Sequence, residues 1–345
     1  MNAPSMVDRV AEAVLYEGYL LYPYRPSTKN RQRWTFGGVL PEPWQATHDT
    51  GDSSFLRTEC LARASGTAKL SLRLRALHII TRQIYRAGSP PVPVDQLESD
   101  GTRWQSWQEA AEREYAIPAT TLDALVNESL RVPFRFEAQH AVEPLVASAG
   151  STAGTIERSQ QAIEGKLQIA ATRLADDLCR LSAQVTNRTP CGDVPRETAL
   201  LSALVSAHMI LNLDDGEFLS LLEPPAEFAV AAAACSQQGL WPVLVGEPGQ
   251  RDTMLASPII LYDYPQIAAE SPGNLFDGAE IDEILSLRIM TLADDEKAAM
   301  RALDPRARAL LDRTESLTSD QLAALHGAVR SLRPNNQDDR HATVR

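Results

Sequence analysis

The sequence is poor in the short motifs that announce a chemistry. No GxGxxG follows a strand-like run and no GxxxxGKS or GxxxxGKT occurs, so neither a dinucleotide turn nor a nucleotide phosphate loop is indicated. GxSxG, the elbow that exposes a nucleophilic serine, is absent, as is HExxH, which sets two histidines on one helix face for zinc. Cysteine is scarce. Cys60, Cys179, Cys191 and Cys235 stand apart with no CxxC or CxxxC pair. That argues against a disulfide framework in a chain of 345 residues. Cys179 alternates with Leu181, Ala183 and Val185, the setting of a small buried hydrophobe, while a metal site assembled from distant thiols stays open.

Long apolar runs are missing too: no window approaches the roughly 18 uninterrupted apolar residues of a membrane helix. Basic residues are outnumbered, 33 Lys and Arg against 45 Asp and Glu, for a net charge of -12. A surface of that sign repels phosphate backbones, so nucleic acid is not an expected partner. The first residues carry Asp8, Glu12 and Glu17 inside an apolar pattern, where a secretory leader needs an uncharged core. The expected compartment is the cytoplasm, with no membrane span and no cofactor. The six histidines are scattered. His78 and His208 lie in apolar runs and read as structural, although a triad assembled from distant residues is defined by geometry, not order.

What the chain has is period two. In TAKLSLRLRAL, Ala68, Leu70, Leu72 and Leu74 alternate with Lys69, Ser71, Arg73 and Arg75, which puts one set on a core face and the other in water. SSFLRTECLARA precedes it and is expected to pair with it through a Ser65-Gly66 turn. RVPFRFEAQHAVEPL, KLQIAATRL and CRLSAQVTN also read as strands, whereas RWQSWQEAAEREY fits a strand or a helix. AHMILNLDDGEFLSLL reads as a further hairpin around Asp215-Gly216, with an Asp214/Asp215 catalytic pair as the lesser alternative.

The ends are different. SMVDRVAEAVLY places Val7, Val10, Ala11 and Val14 on one helical face. Beyond residue 279, Thr291, Asp304-Pro305 and the Thr318/Gln321 capping box announce three short helices. The expected fold class is therefore α+β: a β-rich body, two packed antiparallel sheets, with an N-terminal helix and a helical C-terminal segment. The expected divisions are residues 1–29, a helix plus an aromatic and basic segment; 30–265, the body, with two β subdomains split near 150–165; 266–333, an acidic loop and helices; and a disordered tail over 334–345.

Two clusters hold the candidate site residues. The first is aromatic and basic, with Tyr22, Tyr24, Arg31, Arg33 and Trp34. It fits a protein-binding surface or a packed loop; single-stranded nucleic acid would use similar residues, but the global charge opposes it. The second is SPIILYDYPQIAAESPGNLFDGAEIDEIL, with Tyr262, Asp263, Tyr264, Asp277, Glu280, Asp282 and Glu283. Its carboxylates lack the alternate spacing and turn glycine of a calcium loop, and no metal site is expected. SPIILY reads as a buried strand that YDYPQ leaves, which makes the stretch a structural crossover or a partner-binding platform. Opposite charges on the two clusters lead to the expectation that they face one another as one composite surface.

Three stretches carry a family resemblance: LYEGYLLYPYRPS with KNRQRWTFGGV, then ECLARASGTAKLSLRLRALH, then PVLVGE with TMLASPIILYDYPQIAAESPGNLFDGAEIDEIL. Together they resemble an accessory protein family encoded beside actinobacterial-type NiFe hydrogenases, over most of residues 14–330. The family's motifs carry no assigned chemistry. The resemblance implies a non-catalytic accessory or scaffold protein that assists assembly, maturation or stability of a hydrogenase, with a hydrogenase subunit or maturation factor as partner. The residues leave two alternatives: a hydrolase or other enzyme built from scattered carboxylates such as Asp263, Asp277 or Glu280, and a small-ligand-binding β domain.

Overall fold

A computed structural model describes residues 6–16, 37–146, 151–266, 289–302 and 305–318. In chain order its strands are β1 (Phe55–Arg86), β2 (Val92–Val94), β3 (Gln96–Ser99), β4 (Thr102–Gln105), β5 (Trp107–Thr121), β6 (Leu130–Phe136), β7 (Gln139–Val146), β8 (Thr152–Gln160), β9 (Ile163–Arg173), β10 (Leu178–Asn187), β11 (Leu204–Leu219), β12 (Trp241–Leu244) and β13 (Thr253–Ser257). The helices are α1 (Met6–Leu15), α2 (Glu42–Gln45), α3 (Leu122–Asn127), α4 (Arg196–Ala199), α5 (Ala229–Ala233), α6 (Asp294–Arg301) and α7 (Pro305–Glu315). The chain is thus β-rich with an N-terminal helix, as its periodicity predicts. The helix expected after Thr318 and the tail lie outside the described residues.

One strand organises the rest. β1 is 32 residues long, against the ~5–6 usual for a strand. One of its edges pairs in turn with β10, β5 and β2, the other with β11 and β8, always antiparallel. Among the described residues the antiparallel sheets number two, an 11-stranded one and the small β3–β4 pair. The ambiguous RWQSWQEAAEREY segment is strand, ending β4 and opening β5.

The two expected hairpins do not form. β1 runs straight through Ser65-Gly66, and β11 runs straight through Asp215-Gly216. The register steps from Ala64↔Gly216 to Lys69↔Asp214, so residues 65–68 of β1 lie across from Asp215 alone. The two turn signals are halves of one wide bulge. A bulge needs the same residues as a turn, which explains the misreading. Asp215 has φ 62°, a conformation that Asp tolerates better than most side chains. A Cβ on Gly66 would sit 2.1 Å from the Asp123 carboxylate at the start of α3.

One face of the large sheet is continuous core. Leu70, Leu72 and Leu74 of β1 align with Leu213, Leu211 and Met209 of β11, and these with Met254 and Ala256 of β13. In the first half of β1, Leu56 and Cys60 align with Val185 and Leu181 of β10, and these with Leu167 and Ala171 of β9. All of them belong to one buried cluster, joined by Leu122 and Leu125 of α3. Each fully buried leucine contributes roughly 1.5–3 kcal/mol. The arm β10–β9–β6 bends back toward β5, where the Tyr115 hydroxyl donates to the Pro133 carbonyl at 3.3 Å.

The outward face differs along the sheet. Over β11, β13 and β12, Ile210, Leu255 and Val243 are apolar, and α1 covers them with Val10, Ala11 and Val14. Over the second half of β1, Leu77 and Ile79 pack with Met300 of α6 and Leu310 and Leu311 of α7. An ion-pair network seals these helices. Arg73 binds Asp8 at 2.9 Å, the Tyr16 hydroxyl donates to Glu112 at 2.5 Å, and Arg306 lies over the Tyr16 ring, 4.0 Å from its centre. Over β9 and β10 the outward side chains lining this face are polar apart from Ala170. Gln168, Thr172, Arg180, Ser182 and Gln184 line an open trough of about 240 Å³ with Arg57 and Glu59 of β1.

Candidate interaction site at the sheet edge

β12 stands at one end of the strand order, so its outer edge has no strand to pair with among the described residues. Such an edge exposes backbone donors and acceptors and invites association unless covered. The segment after β13 covers it. β13 ends at Ser257 because Pro258 has no N–H to give to a ladder. This corrects the expectation that SPIILY is a buried strand: the strand is TMLAS, which ends on the first residue of that stretch, Ser257, and residues 258–262 have left the sheet.

The departing segment keeps its alternation. Ile259 and Leu261 turn inward and pack against the cluster beneath α1. Ile260 and Tyr262 turn outward, 76% and 64% exposed. The next two residues fasten the loop. Asp263 Oδ1 accepts the Leu244 N–H at 2.8 Å, and Oδ2 accepts the Ser220 hydroxyl at 2.5 Å. The Tyr264 N–H donates to the Leu244 carbonyl at 2.7 Å, and its hydroxyl donates to the Gln250 carbonyl at 2.9 Å. Both backbone groups of Leu244 are therefore satisfied without a neighbouring strand. Tyr264 does this at φ 56°, a left-handed conformation costing about 1–2 kcal/mol for a residue with a Cβ. Such strain persists only where surrounding contacts impose it.

The geometry presents apolar groups from a held backbone. Trp241, 38% exposed, begins β12 and pairs with Ser257, where the loop departs. Leu222, 52% exposed, donates its N–H at 3.1 Å to the Ser220 oxygen that is itself bonded to Asp263. Of the predicted site residues, Tyr262, Asp263 and Tyr264 come together here, with different duties. Tyr262 is displayed; Asp263 and Tyr264 are fasteners. Asp263, weighed above as a catalytic carboxylate, has both oxygens engaged in holding the loop. Tyr22, Tyr24, Arg31, Arg33, Trp34, Asp277, Glu280, Asp282 and Glu283 lie outside the described residues, as does the composite surface they were expected to form. Ile260, Leu222 and Trp241 were not singled out from the sequence. In sequence, Ile259 to Tyr262 is a run of four large apolar residues with no alternation, and such a run reads as buried on both faces.

The titratable groups elsewhere are built into the scaffold. His208 is buried and donates from Nδ1 to the Ser206 carbonyl at 3.0 Å. Burial, with Arg75 and Arg73 nearby, pushes its pKa down to about 4. His78 accepts from Arg113 at Nδ1, 3.4 Å away, and burial with that guanidinium likewise pushes it down to about 4. Both imidazoles are neutral at pH 7. Burial raises the Cys60 and Cys179 thiols, and Cys235 is pushed up to about 11. Among the described residues no three His, Cys, Asp or Glu side chains gather as a metal-binding group.

No protein-family model matches the chain, and a search of curated proteins finds no match. Among the described residues no helix is long and apolar enough to cross a membrane.

Proposed function

We propose that this chain is a non-catalytic accessory protein of the cytoplasm that assists assembly, maturation or stability of a metalloenzyme, a NiFe hydrogenase, by holding one of its subunits or maturation factors. The observation that carries the protein-binding reading is the fastened loop displaying Ile260 and Tyr262. Large apolar side chains on a soluble surface are ordinary when scattered. Here two of them project from a backbone anchored by inward neighbours, a carboxylate clasp and a left-handed tyrosine, beside Trp241 and Leu222. A rigid display of this kind lowers the ordering cost of association, and aromatic anchors are the residues that dominate interfaces. The identity of the partner rests on the resemblance in the three stretches quoted above, the last of which runs through this loop.

The test is co-purification of the full chain from its native cells, with the bound proteins identified, beside an Ile260→Asp/Tyr262→Asp variant. The expected result is a hydrogenase subunit or maturation factor retained by the natural chain and lost from the variant, with melting unchanged. Retention by both would remove the loop from the interface. Loss of a partner unrelated to hydrogenases would keep the loop and overturn the hydrogenase assignment.

A further inference from the structure

We propose that the outward face of β6 and β9 is a second docking site, for an acidic protein segment rich in Asp and Glu. The chain has a net charge of -12, yet this face has the opposite sign. A groove of about 530 Å³ is lined by Arg131 and Arg135 of β6, Lys166 of β9 and Arg188, against the carboxylate of Glu164. The register makes the crowding specific. Lys166 lies across from Pro133, which carries no charge, while Arg131 lies across from Gln168 and Arg135 from Glu164. The diagonal neighbours of Lys166 are therefore Arg131 and Arg135, at the ~7–8 Å of such pairs. Two of these cations have partners in the fold: Arg135 pairs with Glu137 and Glu164, and Arg188 with Glu42. Arg131 and Lys166 have no ion-pair partner among the described residues. Neighbouring like charges weaken a sheet, and an added anion relieves that repulsion.

The shape selects an extended ligand. From Arg131 to Arg135 the cations spread over roughly 13 Å of strand at the usual rise per residue, more than one small anion spans. Between them Pro133, exposed on the same face of β6, carries no charge. Phe134 is only 5% exposed, so it offers no free ring for a nucleic-acid base to stack on. Carboxylates spaced along a peptide suit both the spread and the guanidinium fork of Arg131. β6 and β12 are opposite ends of the strand order, so this site stands or falls independently of the edge loop.

The test measures fluorescence anisotropy of a labelled Asp/Glu-rich peptide with the full chain, with inorganic phosphate and single-stranded DNA of equal length as competitors. The expected result is binding that weakens as salt rises, and at least about tenfold weaker binding by Arg131→Glu/Lys166→Glu. If charge reversal harms folding, Arg131→Gln/Lys166→Gln serves, and it should melt no lower than the natural chain because it removes a repulsion. Failure to bind the peptide at low salt, or equal binding by the folded variant, overturns the proposal. So does displacement of the peptide by phosphate at equal charge concentration, which marks a small-anion site, or tighter binding of the DNA.

Discussion

The large sheet has one inward face and two kinds of outward face. Over β11, β13 and β12 the outward residues Ile210, Leu255 and Val243 are apolar, and α1 lies on them. Over β10 and β9, in the same sheet and joined through the same strand β1, the outward residues Gln184, Ser182, Gln168 and Thr172 are polar and line an open trough. Nothing in the backbone pairing distinguishes the halves, since both are antiparallel ladders on β1. The second member of each two-residue period does. Where it is apolar, a helix must be recruited to bury it; where it is polar, water suffices and the face stays available to a partner. Both halves are legible strand by strand, but only the covered half explains why the chain carries helices at its ends.

The largest expected effect comes from exchanging the character of the two faces. Ile210→Asp places an unpaired carboxylate beneath α1 and should cost about 3–5 kcal/mol in urea denaturation. Gln184→Asp on the open face should change stability by no more than about 0.5 kcal/mol. Equal costs would break the distinction.

Acidification should strike the covered half as well. His208 lies there, and its native pKa of about 4 is below the ordinary 6.5. Between those values the unfolded chain binds a proton that the native chain refuses, so stability is full above about pH 6.5 and falls as the pH drops toward 4. Each such histidine contributes up to about 3 kcal/mol to this slope, and His78 adds to it with the same sign. Melting curves across that range should flatten in a folded His208→Gln variant. An unchanged slope would mean that His208 titrates normally.

A smaller effect sharpens the account of the edge. Asp263→Ala leaves the buried Leu244 N–H without its acceptor and should cost about 1–2 kcal/mol. Hydrogen exchange at Leu244 should quicken while β9 and β10 keep their protection. Smallest is Glu112→Gln, which weakens the seal between α1 and α7. Glu112 is 42% exposed in its pairs with Arg75 and Arg306, so solvent screening holds the loss to about 1 kcal/mol or less. A loss of several kcal/mol would make the ion-pair network, rather than the apolar face, the chief hold on the helices.

The candidate site was half legible. The YDYP stretch drew attention through its chemistry, and Tyr262, read there as the end of a buried strand, is exposed. The role given to Asp263 changed, because its Ser220 partner is distant in sequence and no local pattern predicts that bond. Arg131, Arg135 and Lys166 are visible in RVPFRF and GKLQI, but their adjacency across strands depends on the register.

By itself the sequence determined which residues of TAKLSLRLRAL face the core, that α1 is amphipathic, and that the molecule is β-rich. These are local properties: a period of two or of 3.6 is set by backbone geometry within a few residues. Tertiary structure decided that Ser65-Gly66 and Asp215-Gly216 form one bulge rather than two hairpins. It decided too that SPIILY leaves the sheet to fasten its edge, and which outward face a helix covers. A glycine or a positive-φ aspartate permits a turn and a bulge alike, and the choice falls to the pairing that buries more apolar surface. That pairing joins β1 to a strand more than a hundred residues away, and no window of sequence contains both partners.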